Sequence, residues 1–245
     1  MQRIVMLGLI VIAWSPIQSA AQDLQSEHGL IWDVSLTEGV IWNGSGDAYD
    51  GAFYLEVNST QYSNYMNASE ELEGRGYLLH PVNVGDLLMS RHIFVSKTAG
   101  DFARFLDVIE NPTEADIAAS IAITGNLGSD SGTVLMGSSN GDTVLDLTDL
   151  WFATDDEDGS GDPSLTHVFQ GPDREVSISS ISLDRDNFRW QFDTTIPAGQ
   201  RIAILTFAVQ SGNQERAQHE AMTLVELPEE VLLGLDEYMD IIVNW

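Results

Sequence analysis

Cysteine is absent from this sequence. Disulfide bonds, thiol nucleophiles and thiolate metal sites are therefore excluded. A chain of this size buries roughly 70% of the surface that its unfolded form exposes, so it can fold without covalent cross-links. Its stability must come from packing, from hydrogen bonds or from bound ions.

Basic residues are scarce: 10 lysines and arginines face 38 aspartates and glutamates, giving a formal net charge of −28. Such a surface repels a phosphate backbone, so nucleic-acid binding is excluded as a function class. Anionic membrane surfaces are disfavoured for the same reason. The charge is compatible with divalent cations, and with neutral carbohydrate or other extracellular proteins as partners.

Long apolar runs are also missing, except for the 11 residues "IVMLGLIVIAW" near the N-terminus. A membrane-spanning helix needs about 20 apolar residues, so no span is predicted. The run follows the basic "MQR" and precedes the small-residue stretch "SPIQSAAQ". This layout is typical of a secretory signal peptide over residues 1–21, with Ser19 and Ala21 at the small positions before the cleavage site. The expected location is secreted or periplasmic.

Local catalytic signatures are not found in the sequence either. The five histidines form no H-x-x-x-H or H-E-x-x-H pair, which gives a zinc site no local support. No G-x-S-x-G elbow and no phosphate-binding glycine loop with its lysine occur.

Two-residue alternation organises the chain from about residue 29 to residue 211. In "IAASIAIT" the residues Ile117, Ala119, Ile121 and Ile123 share one face, and "RIAILTFAVQ" alternates in the same way. Short turn clusters such as "NGSGD", "SSNGD" and "IPAGQ" separate these runs. In "EVSISSISLD" the phase slips at Ser179–Ser180, which predicts a bulge. Roughly ten strands predict one all-β domain over residues 22–211, an antiparallel β-sandwich.

The last 34 residues, 212–245, change to a helical period. They predict a short C-terminal helical tail packed on the sandwich, with Gly234 interrupting its second part. Pro228 suits the start of that second part. The first predicted apolar stripe is Ala217, Ala221, Met222 and Val225, and the second is Val231, Leu232, Leu235, Met239 and Ile242.

The acidic stretch "TDDEDGSGDP", residues 154–163, is the candidate metal site. Its oxygen-bearing side chains suit calcium, and part of it matches the first half of an EF-hand loop. The position that should carry the bidentate glutamate is His167, so an EF-hand proper is rejected. A calcium-binding β-turn, joined by Asp130 from "GSDSG", and a solvated hairpin both remain open. The predicted calcium ligands are Asp155, Asp156, Asp158, Ser160 and Asp162.

Three segments together resemble a known kind of module: "SRHIFVS…FARFLDVIENPTEADIAASIAITGNLGSDSGT", "DLWFATDDEDGSGDPSLTHVFQG" and "LLGLDEYMDIIVNW". From about Trp42 to Trp245 the chain is similar to a β-rich module of large secreted and surface proteins of bacteria. The strand order is also similar to the supersandwich domains of galactose-mutarotase-like proteins. That second resemblance implies that His92 and His167 could face a common cleft, with Glu110 or Asp107 nearby as the carboxylate.

Four tryptophans, Trp32, Trp42, Trp151 and Trp190, fall in predicted strands or at their ends. An exposed indole can stack on a sugar ring, whereas a strand tryptophan is usually part of the core. The sequence therefore predicts an exported, non-catalytic structural or adhesive extracellular module, with calcium as the candidate cofactor at the acidic turn. Two alternatives stay open: a carbohydrate-binding module, and a mutarotase-like sugar isomerase that uses a histidine–carboxylate pair.

Overall fold

The structure is a computed structural model that describes residues 21–156 and 161–245. The predicted signal peptide lies outside the described residues except for Ala21, which pairs with Ser35. Two predicted calcium ligands, Asp158 and Ser160, also lie outside them.

Strands dominate the described residues, which confirms the all-β prediction. There are more strands than the roughly ten expected, because short ones such as Thr60–Gln61 carry no alternating pattern. The strands are β1 (Ala21–Gln25), β2 (Ile31–Ser35), β3 (Tyr49–Val57), β4 (Thr60–Gln61), β5 (Ala68–Glu71), β6 (Gly76–Val84), β7 (Leu87–Val95), β8 (Phe102–Glu110), β9 (Ile117–Leu127), β10 (Thr133–Ser138), β11 (Trp151–Asp156), β12 (Ser164–Val168), β13 (Ile178–Asp184), β14 (Asn187–Ile196) and β15 (Arg201–Ser211).

The strands form two large antiparallel sheets and one hairpin. Within the described chain, the larger sheet has eight strands in the order β10-β11-β12-β15-β8-β7-β6-β5. The smaller sheet has five, in the order β13-β14-β9-β3-β4, and β1 pairs with β2. The bulge predicted at Ser179–Ser180 is confirmed, since the register of β13 on β14 shifts between Ile178 and Ser180.

Apolar side chains pack on both faces of the eight-stranded sheet. Phe105 and Ile109 of β8 point into the core between the two sheets, which also contains Phe53 and Trp190. The alternate residues of β8, such as Leu106, belong to a second apolar cluster on the outer face. Because both faces of the sheet are covered, almost every residue of β8 and β15 is buried, including the charged Arg104 and Asp107 of β8.

The outer face of the eight-stranded sheet is covered by the one α-helix of the described residues, α1 (Gln214–Val225). Asn213 caps this helix: its side-chain oxygen accepts a hydrogen bond from the backbone N–H of Arg216 at 2.9 Å. The predicted stripe was wrong at one position, because Met222 is 50% exposed and Leu224 is buried in its place. The buried residues are Ala217, Ala221, Leu224 and Val225, the spacing of a single helix face.

The second predicted helix was wrong. Residues 228–245, here called the C-terminal strap, form two short 3₁₀ helices, Glu229–Leu232 and Met239–Ile241, joined by hydrogen-bonded turns. Gly234 lies between them at φ +76°, a left-handed conformation that ends a helical path. Val231 and Leu235 are buried as predicted, whereas Met239 is exposed. The side chain of Asn244 anchors the end of the strap by donating to the carbonyls of Phe169 and Leu205.

A fully buried ion pair connects the two sheets. Arg91 of β7 donates from Nε to Asp107 of the neighbouring β8 at 2.6 Å and from Nη2 at 2.9 Å. Its Nη1 reaches across the core to the carbonyl of Phe53, in β3 of the other sheet, at 2.5 Å, and to that of Gly39 at 3.0 Å. A Cβ atom at Gly39 would lie 2.7 Å from Cδ of Arg91, so only glycine fits there.

We expect Arg91→Met to lower the free energy of unfolding by about 3–5 kcal/mol, because Asp107 then stays buried without its counter-charge. The double variant Arg91→Met/Asp107→Leu should recover most of that loss, since it removes both charges. Urea unfolding followed by tryptophan fluorescence measures both. If Arg91→Met is as stable as the unaltered protein, the ion pair does not stabilise the fold as expected here.

Candidate functional site

The two candidate histidines lie on opposite faces of the eight-stranded sheet. His167 of β12 is paired with Phe152 and Ala208 and points into the core between the sheets. His92 of β7 is paired with Leu106 and points to the outer face. The common cleft implied by the mutarotase resemblance therefore does not form, because the strand register gives the two side chains opposite directions.

The two candidate carboxylates are not partners of His92 either. Asp107 lies in the core, on the opposite face, where it binds Arg91. Glu110 shares the outer face but is paired with Leu88, four residues and about 13 Å along the strand from His92. The carboxylate that does contact His92 is Glu71 of β5, whose Oε2 lies 2.9 Å from Nδ1.

The His92–Glu71 pair sits under the C-terminal strap. The ring of Tyr238 lies 4.9 Å from that of His92, whose exposed fraction is only 8%. The sequence did not indicate Glu71, because β5 is short and lacks an alternating pattern. The two residues meet only because β5, β6 and β7 are neighbours in the sheet.

His167 is a core residue. Its ring stacks against those of Phe152 at 4.7 Å and Phe53 at 5.9 Å. Neither ring nitrogen has a hydrogen-bond partner among the described residues. Burial lowers the pKa of His167 from 6.5 to about 3, so the imidazole is neutral in the folded protein.

We expect His167→Phe to reduce the acid sensitivity of the fold. The folded protein binds fewer protons at this site than the unfolded chain, so stability is lost as the pH falls from 6.5 towards about 3. In that pH range, the variant should reduce the pH dependence of the free energy of unfolding by up to about 1.4 kcal/mol per pH unit. Urea unfolding at several pH values measures the slope, with the exposed His219→Phe as control. An unchanged slope would contradict the neutral, buried state of His167.

The carboxylates of the acidic turn are partly engaged in folding the turn itself. Asp155 is buried, and its Oδ2 accepts a hydrogen bond from Oγ of Ser164 at 2.7 Å. Its Oδ1 accepts from the backbone N–H of Asp156 at 2.8 Å. Gly161 adopts φ +112° close to Asp156, as a tight turn requires.

Other acids crowd around this turn. Burial, and then the charges of Asp156, Asp47, Asp130 and Asp155, raise the pKa of Asp162. Thr133, three residues after Asp130, is paired with Asp156, so the fold brings the segment that contains Asp130 beside the acidic turn. Among residues 21–156 and 161–245, no three histidine or acidic side chains converge as metal ligands do. The calcium site stays a prediction.

A strained bulge in β3 brings an aromatic side chain to the outer face of the five-stranded sheet. The register of β3 on β9 shifts on both sides of Ala52, and Phe53 adopts φ +66°. Phe53 consequently enters the core while the next residue, Tyr54, faces outward over β9. Gly51 has φ +93°, and a Cβ there would lie 3.0 Å from Oη of Tyr54. Bulges that re-aim a side chain in this way are common beside functional sites.

Tyr54 forms one wall of a recess of about 310 Å³ on this face, here called the Tyr54 recess. Asn126 donates from Nδ2 to Oδ1 of Asn187 at 3.2 Å, and its own Oδ1 has no partner within the described residues. Trp42 meets Tyr54 edge to face, with ring centroids 6.4 Å apart. The residues lining the recess are Asp50, Gly51, Tyr54, Thr124, Gly125, Asn126, Asn187 and Phe188.

Only one of the four candidate tryptophans is accessible. Trp32, Trp151 and Trp190 are buried in the two apolar clusters. Trp42 is partly exposed; it does not line the recess but contacts Tyr54, which does. The sequence shows all four tryptophans, but it does not show which of them the fold buries.

No protein-family model matches the chain, and no curated protein matches its sequence. Among solved structures, the Slr1438 protein of Synechocystis sp. PCC 6803 superposes with a TM-score of 0.50 at 9% identity, over 84% of this chain and 100% of its own. The two share a fold. That likeness confirms the predicted supersandwich-type architecture, and at such low identity it carries nothing finer.

Two other solved structures have lower scores. A protein from the human microbiome named as a kojibiose phosphorylase gives a TM-score of 0.46 at 11% identity, over 76% of this chain and 25% of that protein. A protein of Escherichia coli K12 named as an aldose 1-epimerase gives 0.44 at 9% identity, over 76% and 97%. This chain thus spans about a quarter of the length of the phosphorylase. No helix in the described parts of the chain is long and apolar enough to span a membrane.

Proposed function

We propose that the protein is an exported, non-catalytic adhesive module that binds neutral carbohydrate in the Tyr54 recess. The observation that carries this proposal is the aromatic wall of Tyr54, supported edge to face by Trp42, beside the amides of Asn126 and Asn187. Aromatic rings offer an apolar surface to the C–H face of a sugar ring, and amides supply both donors and acceptors to its hydroxyls.

The chemistry of the recess favours a sugar over other small ligands. The recess is open, and its lining combines the rings of Tyr54 and Phe188 with polar groups from Asp50, Thr124 and the two asparagines. The side-chain amides of Asn126 and Asn187, which are hydrogen-bonded to each other at 3.2 Å, give the lining of the recess both donors and acceptors. The acidic surface repels uronic and sulfated sugars, so a neutral glycan fits the charge of the protein.

The recess also lacks the groups that sugar isomerisation requires. General acid–base catalysis needs an acid and a base on either side of the reacting atom. The described lining contains one carboxylate, Asp50, and no histidine. Burial, and then the charges of Asp47, Asp130 and Asp186, raise the pKa of Asp50. A single carboxylate can accept a hydrogen bond from a hydroxyl without completing an acid–base pair.

A mutarotase-like isomerase is the second candidate, and the His92–Glu71 contact at 2.9 Å is the observation that favours it. This pair joins an acid–base group to a carboxylate on one face of the large sheet. The two groups, however, contact each other directly and lie against Tyr238 of the C-terminal strap. A sugar would have to displace the strap before it could enter between them.

We expect Tyr54→Ala to lower the affinity for the bound glycan by about tenfold or more, because the variant loses the aromatic wall. A glycan array identifies the ligand, and isothermal titration calorimetry measures the affinity. Tyr65→Ala is the matched control, since Tyr65 is 84% exposed and lies outside the recess.

Two outcomes of this experiment would contradict the proposal. One is the absence of binding to any neutral glycan; the other is unchanged binding by Tyr54→Ala. The same samples can be followed by NMR for exchange between sugar anomers. Acceleration of that exchange by the unaltered protein, lost in His92→Asn, would establish the isomerase instead.

We also propose that calcium binds at the acidic turn, with Asp155, Asp156, Asp158, Ser160 and Asp162 as the candidate ligands. The raised pKa of Asp162 supports this, because mutual repulsion among the carboxylates favours a bound cation. Millimolar calcium should raise the melting temperature by a few degrees, and the variant Asp156→Ala/Asp158→Ala should not respond. Magnesium serves as the control ion. A melting temperature that calcium does not change would contradict the proposed calcium site.

A further inference from the structure

A row of hydrogen-bonded side chains extends from the Tyr54 recess along the outer face of the five-stranded sheet. Arg189 donates from Nη1 to Glu56 at 2.8 Å and from Nη2 to Oε1 of Gln191 at 3.1 Å. Gln191 in turn donates from Nε2 to Asp193 at 2.9 Å and to Ser120 at 3.2 Å. Ser120 also donates to Asp193. These five residues are called the polar row below.

The strand register places the polar row directly beyond the recess. On β14, the outward positions after Asn187 are Arg189, Gln191 and Asp193, each two residues further along. Asn187 is paired with Asn126 in the recess, and Asp193 is paired with Ser120 at the far end. Six residues of strand correspond to about 20 Å, several times the width of a single sugar ring.

The polar row pairs its one basic residue with an acidic one. Arg189 and Glu56 form an ion pair, with Nη1 and Oε2 2.8 Å apart. Asp193 is the second acidic residue of the row, so its five residues carry a formal net charge of −1. The row offers both donors and acceptors, which suits the hydroxyl groups of a sugar.

The side chains of the polar row also hold one another in place. Gln191 is fixed at both ends of its amide, by Arg189 on one side and by Asp193 and Ser120 on the other. Hydrogen bonds from Ser120 and then Ser179 lower the pKa of Asp193, so it remains an ionised acceptor. A ligand that binds to an already ordered surface pays less for immobilising side chains.

We infer that the polar row binds further sugar residues, so that the ligand is an oligo- or polysaccharide chain lying along β9 and β14. This inference rests on the proposed function of the Tyr54 recess, which would hold one sugar ring against its aromatic wall. The polar row then supplies hydrogen bonds to the hydroxyls of the following units. The site recognises a chain segment, and a single terminal sugar fills only part of it.

The test is the dependence of affinity on chain length. Neutral glucan, galactan, mannan and xylan oligomers of one to six units are titrated into the full-length protein by calorimetry. For the glycan that binds, affinity should rise with each added unit over the short members of the series and then level off. Gln191→Ala should lower the affinity for the longest oligomer by about tenfold and leave that for the shortest unchanged.

Gln200→Ala is the control, because Gln200 is an exposed glutamine in the turn between β14 and β15. Far-ultraviolet circular dichroism and the melting temperature verify that Gln191→Ala keeps its fold. Binding that depends on Tyr54 but not on chain length or Gln191 would overturn the inference and leave the proposed function standing. Absence of binding to all four series and to every neutral glycan of the array would overturn both.

Discussion

The buried ion pair of Arg91 and Asp107 connects the two sheets of the sandwich through one guanidinium group. Burying two charges is costly, and the cost is offset only when every donor and acceptor is satisfied. Here Nε, Nη1 and Nη2 of Arg91 all donate, two of them to Asp107 and the third to the carbonyls of Gly39 and Phe53. The ring of Phe105 lies 5.3 Å below the guanidinium and adds a cation–π contact.

This anchor connects the core to the proposed binding surface. Phe53 is held in a left-handed conformation that costs of order 1 kcal/mol in a residue other than glycine. Its carbonyl accepts from Arg91, and its ring stacks on Phe105 at 4.4 Å. The bulge that turns Phe53 inward is also what turns Tyr54 outward. The position of the aromatic wall of the recess is therefore set from inside the core.

The two outer faces of the sandwich are used differently. On the eight-stranded sheet, α1 and the C-terminal strap cover an apolar surface, and the buried Arg104 donates to the carbonyls of Val231 and Leu233 of the strap. On the five-stranded sheet, the outward residues of β9 and β14 are mainly polar, and all of them except Ala122 are at least partly exposed. The resemblance to galactose-mutarotase-like proteins predicts a site at histidines of the eight-stranded sheet. The accessible aromatic and amide groups lie on the five-stranded sheet instead.

The sequence by itself determined the class of fold, the shift of phase at Ser179–Ser180 and the helical period of residues 214–225, because each is a local pattern of neighbouring side chains. It could not determine which candidates meet. The separation of His92 from His167 depends on strand register, and the contact of His92 with Glu71 depends on strand order. The Tyr54 recess combines residues from 50 to 188 that share no local motif. Only the tertiary structure brings such distant residues together, since sheet pairing is decided by packing across the whole core.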